Sequence, residues 1–145
     1  MRLPFFLLLC ASLTLSPQSL KAITFIGGFQ GNIWTDYRNW SPQQVPGSGD
    51  EAVVPENKSV TVNGAITVGS LVLSGGLNSD GNPNSSLTIV ASFSWLSGGV
   101  GVPITLLQGG AGLWQGNLGL GADITNYGAV NCNATVNFSY HSILN

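Results

Sequence analysis

The stretch W-T-D-Y-R-N-W-S-P-Q-Q-V-P-G-S-G-D at residues 34–50 precedes a long series of short β-type runs. Its two tryptophans each carry a large apolar surface that is best buried. Its prolines cannot extend a central strand, and the following G-S-G turns the chain. Asp50 can accept hydrogen bonds from backbone amides beside this turn. The block therefore predicts a structural cap, formed by Trp34, Trp40, Pro46, Gly47, Gly49 and Asp50.

The residues after this block have the pattern of short strands separated by turns. Apolar and polar residues alternate in runs such as 60–62, 66–68 and 87–90, and each run places a threonine on the alternate face. Glycine, asparagine or proline separates most runs, and these residues tolerate a positive φ or preset a turn. The chain is therefore predicted to be all-β.

Two all-β architectures fit this pattern. The apolar runs that begin at Leu71, Leu87 and Ile104 recur at intervals of 16 and 17 residues, without strict periodicity and somewhat below the roughly 20 residues common in a β-helix coil. Such coils bury their apolar faces only by stacking on neighbours. Asn63-Gly64, in contrast, would suit a tight type I′ hairpin. The spacing favours a parallel β-helix, and the hairpin signal leaves an antiparallel β-sandwich as the alternative.

The N-terminal block resembles a module that begins large secreted and surface β-helix proteins, including adhesin-like and autotransporter-like chains. Segments 70–76 (S-L-V-L-S-G-G), 93–99 (F-S-W-L-S-G-G) and 126–130 (N-Y-G-A-V) are similar to rungs of the same proteins. The residues that match the N-terminal module are Trp34, Asn39, Trp40, Val45, Pro46, Gly47, Gly49 and Asp50.

This resemblance implies a right-handed parallel β-helix with an N-terminal cap. It places the cap and first coil in residues 23–50 and the rungs in residues 51–145. It also implies a structural or adhesive role at a surface or in a matrix. Members of the family are usually far longer, and no closing cap is visible here, so we expect the chain to be truncated at its C-terminus.

The first 22 residues have the layout of a secretory signal peptide. Arg2 precedes the apolar run 3–15, which is too short to span a bilayer, and residues 16–19 then break the run. We expect cleavage after Ala22 and a secreted or cell-surface domain at residues 23–145. No membrane span is expected after cleavage.

Charge excludes some partners of this domain. All six acidic residues lie in it, whereas its only bases are Arg38 and Lys58, so its net charge is about −4. Nucleic acids and anionic membranes are unexpected partners because little basic charge is available to neutralise phosphates. Extracellular polysaccharides and matrix or surface proteins remain as candidates.

Trp95 and Trp114 are the candidate ligand-binding residues. Glycine-rich corners flank both, which favours exposure, and exposed aromatic rings can stack on sugars. The competing interpretation is that both indoles fill the core. The sequence therefore predicts a non-enzymatic module, with a carbohydrate-binding module as one alternative. A second alternative is the N-terminal part of a polysaccharide-active enzyme, although the chain offers few bases for proton abstraction.

The remaining polar motifs predict no metal or cofactor. Asp80-Gly81-Asn82 lacks the carboxylate pattern of a calcium loop and is interpreted as a polar loop. Cys132 is the only cysteine after cleavage, so any disulfide partner lies outside this domain. Candidate N-glycosylation sites of the N-x-S/T type are Asn39, Asn57, Asn84, Asn133 and Asn137.

Overall fold

The computed structural model describes residues 20–139 and 143–144, and in this part the chain forms a parallel β-helix of about five turns. The predicted parallel β-helix is confirmed. The strands are β1 (Lys21–Phe25), β2 (Trp40–Ser41), β3 (Asp50–Val54), β4 (Ser59–Val62), β5 (Ala65–Leu73), β6 (Gly76–Ser79), β7 (Ser86–Trp95), β8 (Gly98–Gly101), β9 (Ile104–Leu106), β10 (Ala111–Leu120), β11 (Ile124–Asn126), β12 (Ala129–Phe138) and β13 (Ile143–Leu144).

The strands stack into three faces of parallel sheet. The first face contains β1, β3 and parts of β5, β7, β10 and β12. The second contains β4, β6, β8 and the later parts of β10 and β12. The third contains the first parts of β5 and β7, followed by β9, β11 and β13. The long strands bend at a corner and so belong to two faces.

The antiparallel sandwich is wrong, and so is the hairpin at Asn63-Gly64. The strands before and after this dipeptide do not pair with each other, because β4 pairs with β6 while β5 pairs with β3 and β7. Gly64 has a φ of 97° and turns a corner between the second and third faces. The Asn63 side chain donates to Thr35 Oγ1 at 2.8 Å, which is a contact to the N-terminal block.

The alternation of inward and outward side chains along each strand explains why each face is stable. On the first face the inward side chains of Ala52, Leu71 and Phe93 are in register and fully buried. Equivalent inward rows run through Val60, Leu77 and Val100 on the second face and through Leu87, Ile104 and Ile124 on the third. Each rung thus covers the apolar atoms of its neighbours, which is the source of stability in a solenoid.

Glycine permits the tight corner between the first and second faces. Gly75 and Gly98 occupy this corner in successive rungs, and Gly98 has a φ of 83°. A Cβ on Gly98 would overlap the carbonyl oxygen of Gly75, and one on Gly75 would overlap the carbonyl oxygen of Lys58. Both positions therefore require glycine for close backbone approach.

The first strand begins inside the segment predicted to be removed. Lys21 and Ala22 pair with Asp50 and Glu51, so the boundary expected at residue 23 falls within β1. Residues 1–19 of the predicted signal peptide lie outside the described residues. Within the described ranges, no helix is long and apolar enough to cross a membrane.

Candidate functional site

The residues between β1 and β3 form a block over the beginning of the helix. Trp34 and Trp40 are both fully buried, with ring centroids 4.8 Å apart, and Trp40 Nε1 donates to the carbonyl oxygen of Trp34 at 2.7 Å. Trp34 N donates to the carbonyl oxygen of Thr61 at 2.8 Å, which ties the block to β4. Strand β2 lies antiparallel to β1 on the side away from β3. The block thus covers the edge of the first strand.

Asn39 organises this block from inside. It is fully buried, and its Nδ2 donates to the carbonyl oxygens of Phe29 at 3.1 Å and Ile33 at 3.0 Å. Its Oδ1 accepts from Phe29 N at 2.9 Å. A glycan on Asn39 would conflict with this folded arrangement, because the side chain is fully buried and both amide hydrogens are used.

The turn at the end of the block connects it to the next rung. Gly47 N donates to Asp50 Oδ2 at 2.9 Å, and Asp50 N donates to the carbonyl oxygen of Gly47 at 3.0 Å. The same carbonyl accepts from Gly69 N at 3.1 Å. Pro46 is buried beside this turn, whereas Gly49 is exposed. Asp50 is therefore held as a turn residue by the amides that the sequence led us to expect.

The predicted exposure of Trp95 and Trp114 is wrong. Their exposed fractions are 0% and 2%, and both pack in the core with Phe93 at centroid distances of about 6 Å. Within the described residues, neither indole nitrogen has a hydrogen-bond acceptor. These side chains cannot offer a stacking surface to a sugar. The sequence did carry a signal for this, because Phe93 and Trp95 align with the core residues Leu71 and Leu73 in similar segments.

A ladder of threonines runs along the outside of the third face. Thr67 is in register with Thr88, Thr88 with Thr105, and Thr105 with Thr125. Thr67 is exposed, and the other three are half-buried by their neighbours. Parallel strands hold such a row at a repeat of about 4.8 Å. The face therefore presents four hydroxyl and methyl groups at regular intervals.

An apolar row follows the last three threonines of the ladder, two residues further along the chain in each rung. It contains Val90 and Leu107, each 37% exposed, and Tyr127, which is 63% exposed. The backbone hydrogen bonds Leu107 N to Ile89 O and Tyr127 N to Leu106 O keep successive rungs aligned here. Tyr127 also lines an open depression of about 490 Å³ with Asn126, Gly128 and Val130. Tyr127 was not among the candidate residues predicted from the sequence, although it precedes a glycine corner as Trp95 does.

A second depression lies on the glycine corner between the first and second faces. It has a volume of about 430 Å³, and its lining includes Glu56, Lys58, Ser74, Ser97 and Gly98. Ser97 Oγ donates to the carbonyl oxygen of Ser74 at 2.7 Å, which joins two rungs across its floor. Its surface is polar but carries no aromatic side chain, so it offers little apolar contact to a ligand.

Two acidic side chains, Asp80 and Asp36, are bound by residues close to them in sequence. Asp80 accepts from Ser85 Oγ at 2.7 Å and from Asn82 N at 3.0 Å, and these hydrogen bonds lower the pKa of Asp80. Asp36 is paired with Arg38 at 2.7 Å, which lowers the pKa of Asp36 and raises that of Arg38. In the described part of the chain, no three His, Cys, Asp or Glu side chains lie together as metal ligands.

The other candidate modification sites lie at the surface. Asn57, Asn84, Asn133 and Asn137 are all exposed, and Asn57 has a φ of 61° in the turn after β3. Asn137 Nδ2 donates to Asn117 Oδ1 at 2.7 Å on the second face. Cys132 is a free and exposed thiol, although it is in register with the buried Trp114. Its exposure arises because β12 is the last strand of its face in the described residues.

Comparison with protein-family models, curated proteins and solved structures finds no match for this chain.

Proposed function

We propose that this chain is a non-enzymatic recognition module that is exported and works at a surface or in an extracellular matrix. The observation that carries the proposal is the threonine ladder, Thr67, Thr88, Thr105 and Thr125, which lies in register on the outside of the β-helix. Such a face can bind an extended partner through many weak contacts without moving. Recognition of this kind needs a regular surface, and the stacked rungs supply one.

The positions of the charged groups support a non-catalytic role. General acid–base catalysis places an acid and a base within hydrogen-bond reach of one substrate. Here Arg38 is paired with Asp36 in the N-terminal block, and Asp80 is bound by its own turn. Glu56 and Lys58 do line one depression together, but no aromatic side chain among the described residues lines it to hold a sugar ring, and this speaks against the alternative of a polysaccharide-active enzyme.

Export is proposed from the sequence of residues 1–22 and from the surface sequons. Secretion by a glycosylating host would test it, with the apolar run 3–15 replaced by a polar run as the control. We expect the unaltered chain in the medium and the altered chain in the cell. Retention of the unaltered chain in the cell would contradict export.

Adhesion is tested with beads that carry the folded chain. The beads are applied to immobilised polysaccharides and matrix proteins, and beads with heat-denatured chain serve as the control. We expect folded chain to retain beads on at least one surface, with no release of soluble products. Equal retention by both bead types, or breakdown of a surface, would overturn the proposed function.

A further inference from the structure

We propose that the outer surface of the third face is a binding site for an uncharged polysaccharide, which lies along the helix axis across successive rungs. This inference rests on the proposed function and assigns its ligand class and residues. The threonine ladder would supply hydrogen bonds, and Tyr127 would supply a stacking ring at one end. We call this surface the ladder face, defined by Thr67, Thr88, Thr105, Thr125, Val90, Leu107 and Tyr127.

The spacing of the ladder selects an extended ligand. Four threonines separated by three intervals of about 4.8 Å span about 14 Å along the axis. Each hydroxyl can both donate and accept, so it can match sugar hydroxyls in either orientation. Each threonine also carries a methyl group, which can contact the C–H groups of a sugar ring. A short or flexible ligand would use only part of this row, whereas a regular polymer could use all of it.

The charge of this region selects an uncharged ligand. The sequence has no lysine or arginine from Ser59 to Asn145. Along the ladder face the nearest acids in sequence are Asp80, at the turn before β7, and Asp123, just before β11. An anionic polysaccharide would therefore meet only like charge there and no counter-charge. Neutral glucans, mannans or chitin remain as the polymers that the face can accept.

Tyr127 gives the face an aromatic contact that the core tryptophans cannot give. Its exposed fraction of 63% exceeds that of every other large apolar side chain recorded on the described surface. A tyrosine ring offers an apolar face for stacking and a hydroxyl for hydrogen bonding. Val90 and Leu107 extend this apolar strip towards the N-terminal rungs. The ring and the strip lie side by side with the threonines, so one ligand chain can contact both.

The test uses affinity electrophoresis of the full chain in gels that contain a β-glucan or a galactomannan. A gel with polygalacturonate serves as the anionic comparison. Binding to chitin, which is insoluble, is measured by a pull-down. The variants are Tyr127→Ala and the pair Thr88→Val/Thr105→Val, which keeps the shape but removes two hydroxyls. The matched controls are Tyr37→Ala, an exposed tyrosine in the N-terminal block, and Thr24→Val, which points outward from the first face. Thermal unfolding confirms that all variants are folded.

We expect at least one neutral polymer to retain the chain, and the affinity to change little when salt is added. Each ladder-face variant should bind with roughly tenfold weaker affinity, which corresponds to the loss of one or two good contacts. The controls should bind as the unaltered chain does. Binding that is insensitive to both ladder-face variants, or that prefers polygalacturonate, would overturn the assignment.

Two outcomes separate this inference from the proposed function. Beads that adhere to a matrix protein, with no neutral polymer bound, would refute the ligand class but leave the recognition role standing. Beads that adhere to nothing would refute both. The regular hydroxyl row could also match ordered ice, so inhibition of ice recrystallisation that needs the threonines but not Tyr127 would overturn the polysaccharide in favour of ice.

Discussion

At the scale of single residues, close backbone contact at the corner of the first and second faces makes glycine necessary. Gly98 combines a φ of 83° with a Cβ direction that meets the carbonyl oxygen of Gly75. We predict that Gly98→Ala lowers the free energy of unfolding by about 2–5 kcal/mol, because left-handed strain adds to overpacking. Urea unfolding followed by tryptophan fluorescence measures this change.

Substitutions at two other glycines separate the cost of backbone strain from the cost of close contact. Gly109 has a φ of 85° but open space around its Cβ position, so Gly109→Ala should cost only the strain, about 1–2 kcal/mol. Gly49 has open space and no positive φ, so Gly49→Ala should change stability by less than about 0.5 kcal/mol. Equal losses in all three variants would contradict the close approach at Gly98.

Trp95 is a second residue whose role follows from its position. It is fully buried and packs against Phe93 and Trp114. We predict that Trp95→Ala costs about 3–5 kcal/mol of stability, as large-to-small changes in a core do. Thermal or urea unfolding checks this, with the exposed Tyr37→Ala as the surface control. A stable Trp95→Ala variant with altered sugar binding would instead support the exposed position that the structure rejects.

At the scale of elements, the N-terminal block depends on the side chain of Asn39. We predict that Asn39 carries no glycan when the chain is secreted by a glycosylating host, whereas any occupied sites lie among the exposed asparagines. Peptide mapping by mass spectrometry after glycosidase treatment reads the occupancy of each site. Finding a glycan on Asn39 in folded protein would contradict its burial.

Ser41→Ala and Asn39→Ala form a matched pair for the same block. Both remove the sequon, but only Asn39→Ala leaves the Phe29 amide without its acceptor and removes one of the two donors to each carbonyl oxygen of Phe29 and Ile33. Asn39→Ala should therefore lose about 1–3 kcal/mol, because a polar group that loses its partner inside the fold is costly. Ser41 is exposed, and its replacement should be nearly neutral.

The turn between β6 and β7 should make stability depend on pH. Hydrogen bonds from Ser85 and the Asn82 amide lower the pKa of Asp80 below its ordinary value of 3.8. The folded state therefore favours the ionised carboxyl, and this stabilisation is present above pH 3.8 and is lost as pH falls through the lowered folded value. Asp80→Asn should reduce the slope of stability against pH below about pH 4. A slope unchanged by this substitution would argue against the turn as its source.

The sequence predicted the order of strands and turns. It predicted less well which side chains face the core and which side chains line up on the outer surface. Alternation in runs such as 60–62 and 87–90 predicts which residues face inward within one strand. It does not show which rung lies beside which, and the ladder from Thr67 to Thr125 appears only once the register is known. Corner lengths set that register, and they vary from rung to rung.

The errors at Asn63-Gly64 and at Trp95 share one cause. Local chemistry permits a hairpin at an Asn-Gly pair and permits exposure of a tryptophan near glycines. Stacking decides otherwise, because β4 and β5 each find parallel partners in other rungs, and because Trp95 continues the inward row of Leu73. Both outcomes depend on contacts that are distant in sequence, which a local pattern cannot supply.

At the scale of the whole molecule, stability is a sum over neighbouring rungs, so the two ends of the described helix should differ. The first strand is flanked by β3 on one side and by β2 on the other. Among the described strands, β12 pairs only with β10, and its inward residues Cys132 and Phe138 are exposed, although they are in register with the buried Trp114 and Leu120. The last rung therefore buries less apolar surface than the inner ones.

Hydrogen exchange should reveal this gradient. We predict that amides of β12 exchange through local opening at least tenfold faster than those of β5 and β7, because opening the last rung disrupts one interface and opening an inner rung disrupts two. Amides of β1 should exchange more slowly than those of β12, since the N-terminal block with Trp34 and Trp40 covers that end. Mass spectrometry of exchanged peptides measures the rates, and labelling of Cys132 by a maleimide gives an independent reading of β12. Uniform protection from β1 to β12, with an unreactive Cys132, would mean that the rungs open together and that the end of the stack is as well covered as its beginning.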